Sequence, residues 1–106
     1  MADFMGMMKQ AAQLQSKMQE LQAELDTIEV DGSAGGGLVS VTLTAKGDLK
    51  GVRIDDSLLQ PGEKEVVADL LVTAHADAKR KAEGVLQDKM KELTGGLPLP
   101  PGLNPF

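Results

Sequence analysis

The sequence predicts an α+β fold: a long N-terminal helix, a three-stranded antiparallel meander and a long C-terminal helix, all within residues 1–94. Three observations carry this prediction. Residues 3–28 place apolar side chains at alternating steps of three and four, without a proline. Residues 38–54 alternate apolar and polar about a turn signal at Lys46, Gly47 and Asp48. After Pro61 and Gly62 the helical period returns and holds to Leu93.

In the first helix the apolar positions are Phe4, Met7, Ala11, Leu14, Met18, Leu21, Leu25 and Ile28. This is a heptad seam on a rod of about 39 Å, at a rise of about 1.5 Å per residue. So narrow a seam on so long a rod needs another helix against it, and a pairing that includes a second copy of the chain is expected.

The meander follows. A short first strand is expected over Ile28–Asp31. The triplet Gly35, Gly36 and Gly37 then leads into a strand at Leu38–Ala45, with Val39, Val41, Leu43 and Ala45 on one face and Ser40, Thr42 and Thr44 on the wet one. The third strand, Leu49–Asp55, sets Val52 and Ile54 opposite Gly51 and Arg53. Three short strands do not stand alone, so a helix has to cover their apolar face. In the second helix Val67, Leu71, Ala74, Ala78, Ala82 and Val85 form one stripe, flanked by Leu70, Leu86 and Leu93. Its small central residues permit close approach to a sheet. Glu63 and Glu65 suit the positive end of its dipole, and Lys89 and Lys91 the negative end. Four of the five prolines lie in the closing "LPLPPGLNPF", so residues 95–106 read as an extended tail.

Composition narrows the chemistry. With 106 residues the chain fits a single domain. It has no Cys, Trp or Tyr, two Phe and six Met, so its core rests on Leu, Val, Ala and Met. No oxidising compartment is required, no signal peptide is recognisable and no stretch approaches a membrane span, which makes the cytoplasm the expected location. A phosphate cradle needs glycines opening onto a helix, whereas this triplet opens onto a strand and only turns the chain. One His and no Cys leave no conventional metal set and no nucleophilic triad, so neither an enzyme nor a cofactor is expected. Asp55 and Asp56 read as a solvated strand end, and His75, about 60° from the centre of the stripe, as a residue at the rim of the core.

The net charge of −5 argues against a basic coat, and two Phe cannot form a base-stacking platform. Any nucleic acid bound should be duplex, held by its phosphates. The candidate contacts are Lys9 and Lys17 on the first helix, Lys46, Lys50 and Arg53 on the hairpin, and Lys79, Arg80 and Lys81 on the second helix. The last three also read as a salt-bridge-laced helix face, with Lys79 paired to Glu83 and Lys81 to Asp77. Residues 1–29 carry two basic against five acidic side chains, a poor match for phosphate. The dimer or core seam is expected at Leu14, Met18, Leu21, Leu25, Val39, Val41 and Leu43.

Four segments carry a resemblance over nearly the whole chain. They are "MQELQAEL" (residues 18–25), "VDGSAGGGLVSVTLTAKGDLKGVRIDDSLL" (30–59), "DLLVTAHADAKRKAEGVLQDKMKELTGGL" (69–97) and the closing "LPPG". In this order they resemble the YbaB/EbfC family of bacterial nucleoid-associated proteins. The resemblance implies an intertwined homodimer whose meanders associate and whose long helices project as arms. It also implies binding of double-stranded DNA with little sequence preference, a part in organising the nucleoid and influencing expression, and no catalysis or small-molecule substrate. The family's pattern assigns no DNA contact to a short motif. The competing reading from the charges is a coiled-coil-like dimeric adaptor that docks proteins and has little affinity for DNA.

Overall fold

The computed structural model describes residues 2–94. Helix α1 (Ala2–Thr27) is followed by strands β1 (Glu29–Ala34), β2 (Val39–Thr44) and β3 (Leu49–Ile54), then helix α2 (Lys64–Thr94). The strands form one antiparallel sheet in the order β1-β2-β3. The predicted tail, residues 95–106, lies outside the described residues. The molecule is a rod, 73 Å long and 22 by 17 Å across.

The first strand is longer than the sequence reading, which ended it at Asp31. It continues through Gly32, Ser33 and Ala34 because Gly32 is a packing residue and not part of the turn. A Cβ at this position would sit 2.2 Å from the carbonyl oxygen of Ala74 and from the backbone nitrogen of Ala78. Strand and helix backbones therefore meet directly, with Ala74 and Ala78 completely buried and Ala82 nearly so. The turn proper is the glycine triplet, where Gly35, Gly36 and Gly37 all have positive φ, from 65° to 97°.

In β2, Val39, Val41 and Leu43 are buried as the alternation predicts, followed by Ala45. Thr44 departs from it: expected on the wet face, it is 1 % exposed. The β2–β3 turn folds back over it, with the Asp48 amide donating to Thr44 Oγ1 at 3.1 Å and the Thr44 amide to the Asp48 carbonyl at 2.8 Å. Opposite, Thr42 pairs with Gly51 and Leu43 with Leu49, so Lys50 is the extra residue of a β-bulge.

Helix α2 lies over β1 and β2 and also blunts the free edge of β1. The Ser33 amide donates to the Asp77 carboxylate at 3.0 Å, and Lys81 Nζ donates to the Asp31 carbonyl at 2.8 Å. These outward-facing backbone groups would otherwise offer a template for another strand. The Ser33 amide is the main reason the Asp77 carboxyl is held below the usual range, against some desolvation and with help from Arg80 and Lys81. A carboxylate whose pKa falls on folding stabilises the fold above its unfolded pKa, and that stability is lost as the pH drops through the folded value. Asp77→Asn is therefore expected to unfold at lower urea than the parent at neutral pH. The gap should close on acidification to about pH 2, below the ordinary Asp pKa. Urea midpoints of both proteins across this range provide the check.

Away from the sheet, α1 and α2 run antiparallel as a two-helix arm. Leu21 and Leu25 are buried against Val85, Leu86, Met90 and Leu93, next to Ala45 and Ile28. Lys89 bridges the helices, with Nζ 2.6 Å from Glu24 Oε1 and 3.7 Å from Glu92 Oε2. The Glu24 hydrogen bond raises the Lys89 pKa. The heptad seam thus finds its partner helix within the same chain, but only along its C-terminal third. Lys17 and Leu21 stand level with Leu93 near the end of α2. Before Lys17, α1 continues with its seam uncovered: Phe4, Met7 and Leu14 are 65, 67 and 53 % exposed.

Candidate nucleic-acid interface

The eight predicted cations divide by what already holds them. Lys46 Nζ lies 3.4 Å from Asp26 Oδ2. Arg80 and Lys81 converge on one carboxylate, Asp77, at 3.1 and 3.4 Å. Lys81 is further committed to the Asp31 carbonyl. Among the described residues no carboxylate lies within ion-pair distance of Lys9, Lys17, Lys50, Arg53 or Lys79. The expected pair of Lys79 with Glu83 is not formed. The expected pair of Lys81 with Asp77, at the same spacing, is formed.

The fold brings some of these groups together and separates others. Lys46 and Lys79 line one recess at the base of the arm, together with Glu83 and with Leu25, Gly47, Ala82 and Leu86. Arg53 sits opposite Ser40 on the face of the sheet turned away from α2, and the bulge places Lys50 on the same strand. Lys17 stands among Glu20, Glu24, Lys89 and Glu92, and Lys9 lies further along α1. The uncommitted charges are spread along the sheet and arm and form no closed pocket, an arrangement suited to a long polyanion and not to a small anion.

The remaining polar candidates do structural work. The Asp55 carboxylate accepts hydrogen bonds from the Ser57 hydroxyl and amide, which in that order lower its pKa, and the amide bond caps the short turn at Asp56–Leu58. Among the described residues no three His, Asp or Glu side chains are placed to share a metal ion. His75 is exposed beside an apolar recess formed with Val41, Leu49, Val52, Leu71 and Val72. The recess exists because α2 leaves β3 uncovered: Leu49 is 59 % exposed, Val52 41 % and Val72 71 %. Sequence reasoning named Lys89 as a helix-end cation and Asp77 as the partner of Lys81, but missed the bond of Lys89 to Glu24, that of Asp77 to Ser33 and the packing role of Gly32. The spacing of Lys89 and Glu92 is a local signal, but Glu24 comes from another helix. Asp77 and Gly32 owe their roles to neighbours far along the chain.

A meander backed by one helix and extended by a two-helix arm, with cations along its length, defines a binding module of the α-β-β-β-α class. The chain belongs to the YbaB/EbfC DNA-binding family, whose model matches residues 1–97. It is similar to the nucleoid-associated protein BRADO0764 of Bradyrhizobium sp. (strain ORS 278), with 67 % identity over 102 residues and 96 % of each chain covered. A nucleoid-associated protein of Rhodopseudomonas palustris (strain BisB5) is 69 % identical over 103 residues, 97 % of each chain. The crystal structure of protein HP0035 from Helicobacter pylori superposes with a TM-score of 0.74 at 25 % identity, covering 84 % of this chain and 94 % of that one. The expectation of a nucleoid-associated DNA-binding family and of its fold is thereby met.

Proposed function

We propose that the protein acts as a homodimer that holds duplex DNA weakly and with little sequence preference, contributing to nucleoid organisation and gene regulation in the cytoplasm. The observation that carries this reading is the distribution of uncommitted cations. Lys9, Lys17, Lys50, Arg53 and Lys79 lie along an elongated body with no aromatic platform for reading bases. Contacts of this kind go to phosphates, which position a protein but do not specify a sequence. Residues 1–94 serve as the dimerising domain, and the uncovered apolar face at Leu49, Val52 and Val72, beside the open edge of β3, supports association of the two sheets. Their intertwining is part of this proposal.

Anisotropy of a labelled duplex of about 30 base pairs, titrated with protein across salt concentrations, tests the reading. Saturable binding is expected, its logarithm falling linearly with log salt by roughly 0.9 per phosphate contact. Flat titrations at low salt, with the protein folded, would overturn it. The alternative, a dimeric adaptor with little direct DNA affinity, is favoured by one observation: the bare apolar stripe at the end of α1.

A further inference from the structure

We infer that this stripe is a self-association surface, on which α1 of one molecule pairs antiparallel with α1 of another over residues 3–17. The surface continues an interface already present. The same seam that buries Leu21 and Leu25 against α2 runs on past Met18, half-buried, to Leu14, Ala11, Met7 and Phe4, where α2 has ended. The exposed length is about 22 Å, four apolar layers.

The pattern of side chains selects the second copy and its direction. In antiparallel register Phe4 packs against the partner's Leu14, and Met7 against the partner's Ala11, a large residue facing a small one. One flank of the seam carries Asp3, Gln10 and Lys17. There Asp3 meets the partner's Lys17 at each end, and the two Gln10 side chains meet at the centre. On the other flank Met8 lies against the partner's Met8. A parallel pairing would instead set Asp3 against the partner's Met8 and Gln10 against the partner's Gln15, and would gain no ion pair. Both charges are exposed and, among the described residues, neither has an ion-pair partner. The contact joins the tips of arms, so molecules already paired through their sheets are linked end to end. It does not depend on DNA, and its test is separable from that of the DNA reading.

The chain contains no cysteine, so a single introduced thiol reports on this contact alone. Full-length Met8→Cys and Met5→Cys are oxidised side by side, position 5 lying on the far side of α1. Rapid disulfide trapping is expected for position 8, and trapping at least about tenfold slower for position 5, whose sulfurs lie beyond the reach of a disulfide. Charge variants supply a second readout in sedimentation velocity over a concentration series. Asp3→Lys and Lys17→Asp should each weaken assembly, and the double exchange should restore it. All four positions are exposed, so the fold is retained, and circular dichroism verifies this. Equal trapping at positions 5 and 8 overturns the proposal. So does an exchange that fails to rescue, or a stripe covered instead by residues 95–106 of the same chain, in which case no trapping occurs at position 8.

Discussion

Replacing Gly32 with valine is expected to lower the stability of the domain by about 3 kcal/mol or more, the upper part of the range for overpacked cores. Most overpacking is relieved by rotating or shifting a side chain. Here the added Cβ would stand 2.2 Å from two backbone atoms of α2 and 2.7 Å from a third, Ala78 Cα. Relief therefore requires the whole helix to lift from β1. Lifting it withdraws Ala74 and Ala78 from the core and breaks the contacts of Asp77 and Lys81 with the strand edge. Against a total of about 5–15 kcal/mol for a domain of this size, the loss is large. Urea unfolding followed by circular dichroism measures it. Gly6→Ala is the control: Gly6 is exposed within α1 with nothing within 4 Å, so that change should hold or slightly raise stability. An unchanged midpoint for Gly32→Val would refute the direct strand–helix contact.

The second large effect concerns DNA. Reversing two uncommitted cations together, Arg53→Glu with Lys79→Glu, is expected to cut duplex affinity on the order of a hundredfold at low salt. In the proposed homodimer each change occurs twice, so four of the proposed phosphate contacts would be lost and four repulsions added. The log–log salt slope should flatten by roughly 0.9 for each contact removed. Lys81→Met should behave differently. Its ammonium already serves the Asp31 carbonyl and Asp77, so its loss should lower the unfolding midpoint and leave the salt slope nearly unchanged. Anisotropy titrations of the three proteins at several salt concentrations compare them directly. A steep loss for Lys81→Met at unchanged stability would reverse the assignment of committed and uncommitted charges.

Fold class, element order and the buried faces were legible in the sequence because they follow from local periods. A step of three and four defines a helix with one stripe, and a step of two defines a strand with two faces. Val39, Val41 and Leu43 went inside for that reason, as did Leu21, Leu25, Ala74, Ala78 and Ala82. Thr44 broke the alternation because a turn closes over it, and β1 outran its expected end because Gly32 answers to α2. The eight cations were visible as residues, but their availability was not. Lys46 is held by an aspartate from α1, and of the two local pairs foreseen on α2 that of Lys81 with Asp77 forms while that of Lys79 with Glu83 does not.

By itself the sequence determined a helix–meander–helix chain, a glycine turn in place of a phosphate cradle, and a seam longer than its own fold can cover. These depend on residues within a turn or two of one another. Only the tertiary structure decided which strand edge is blunted, which charges are spent and where the seam is left bare. The deciding contacts join residues 44, 50 and 65 positions apart: Ser33 with Asp77, Asp31 with Lys81, and Glu24 with Lys89. Side chains that far apart along the chain become neighbours only once α2 has packed across the sheet and back along α1, and no local period encodes that meeting.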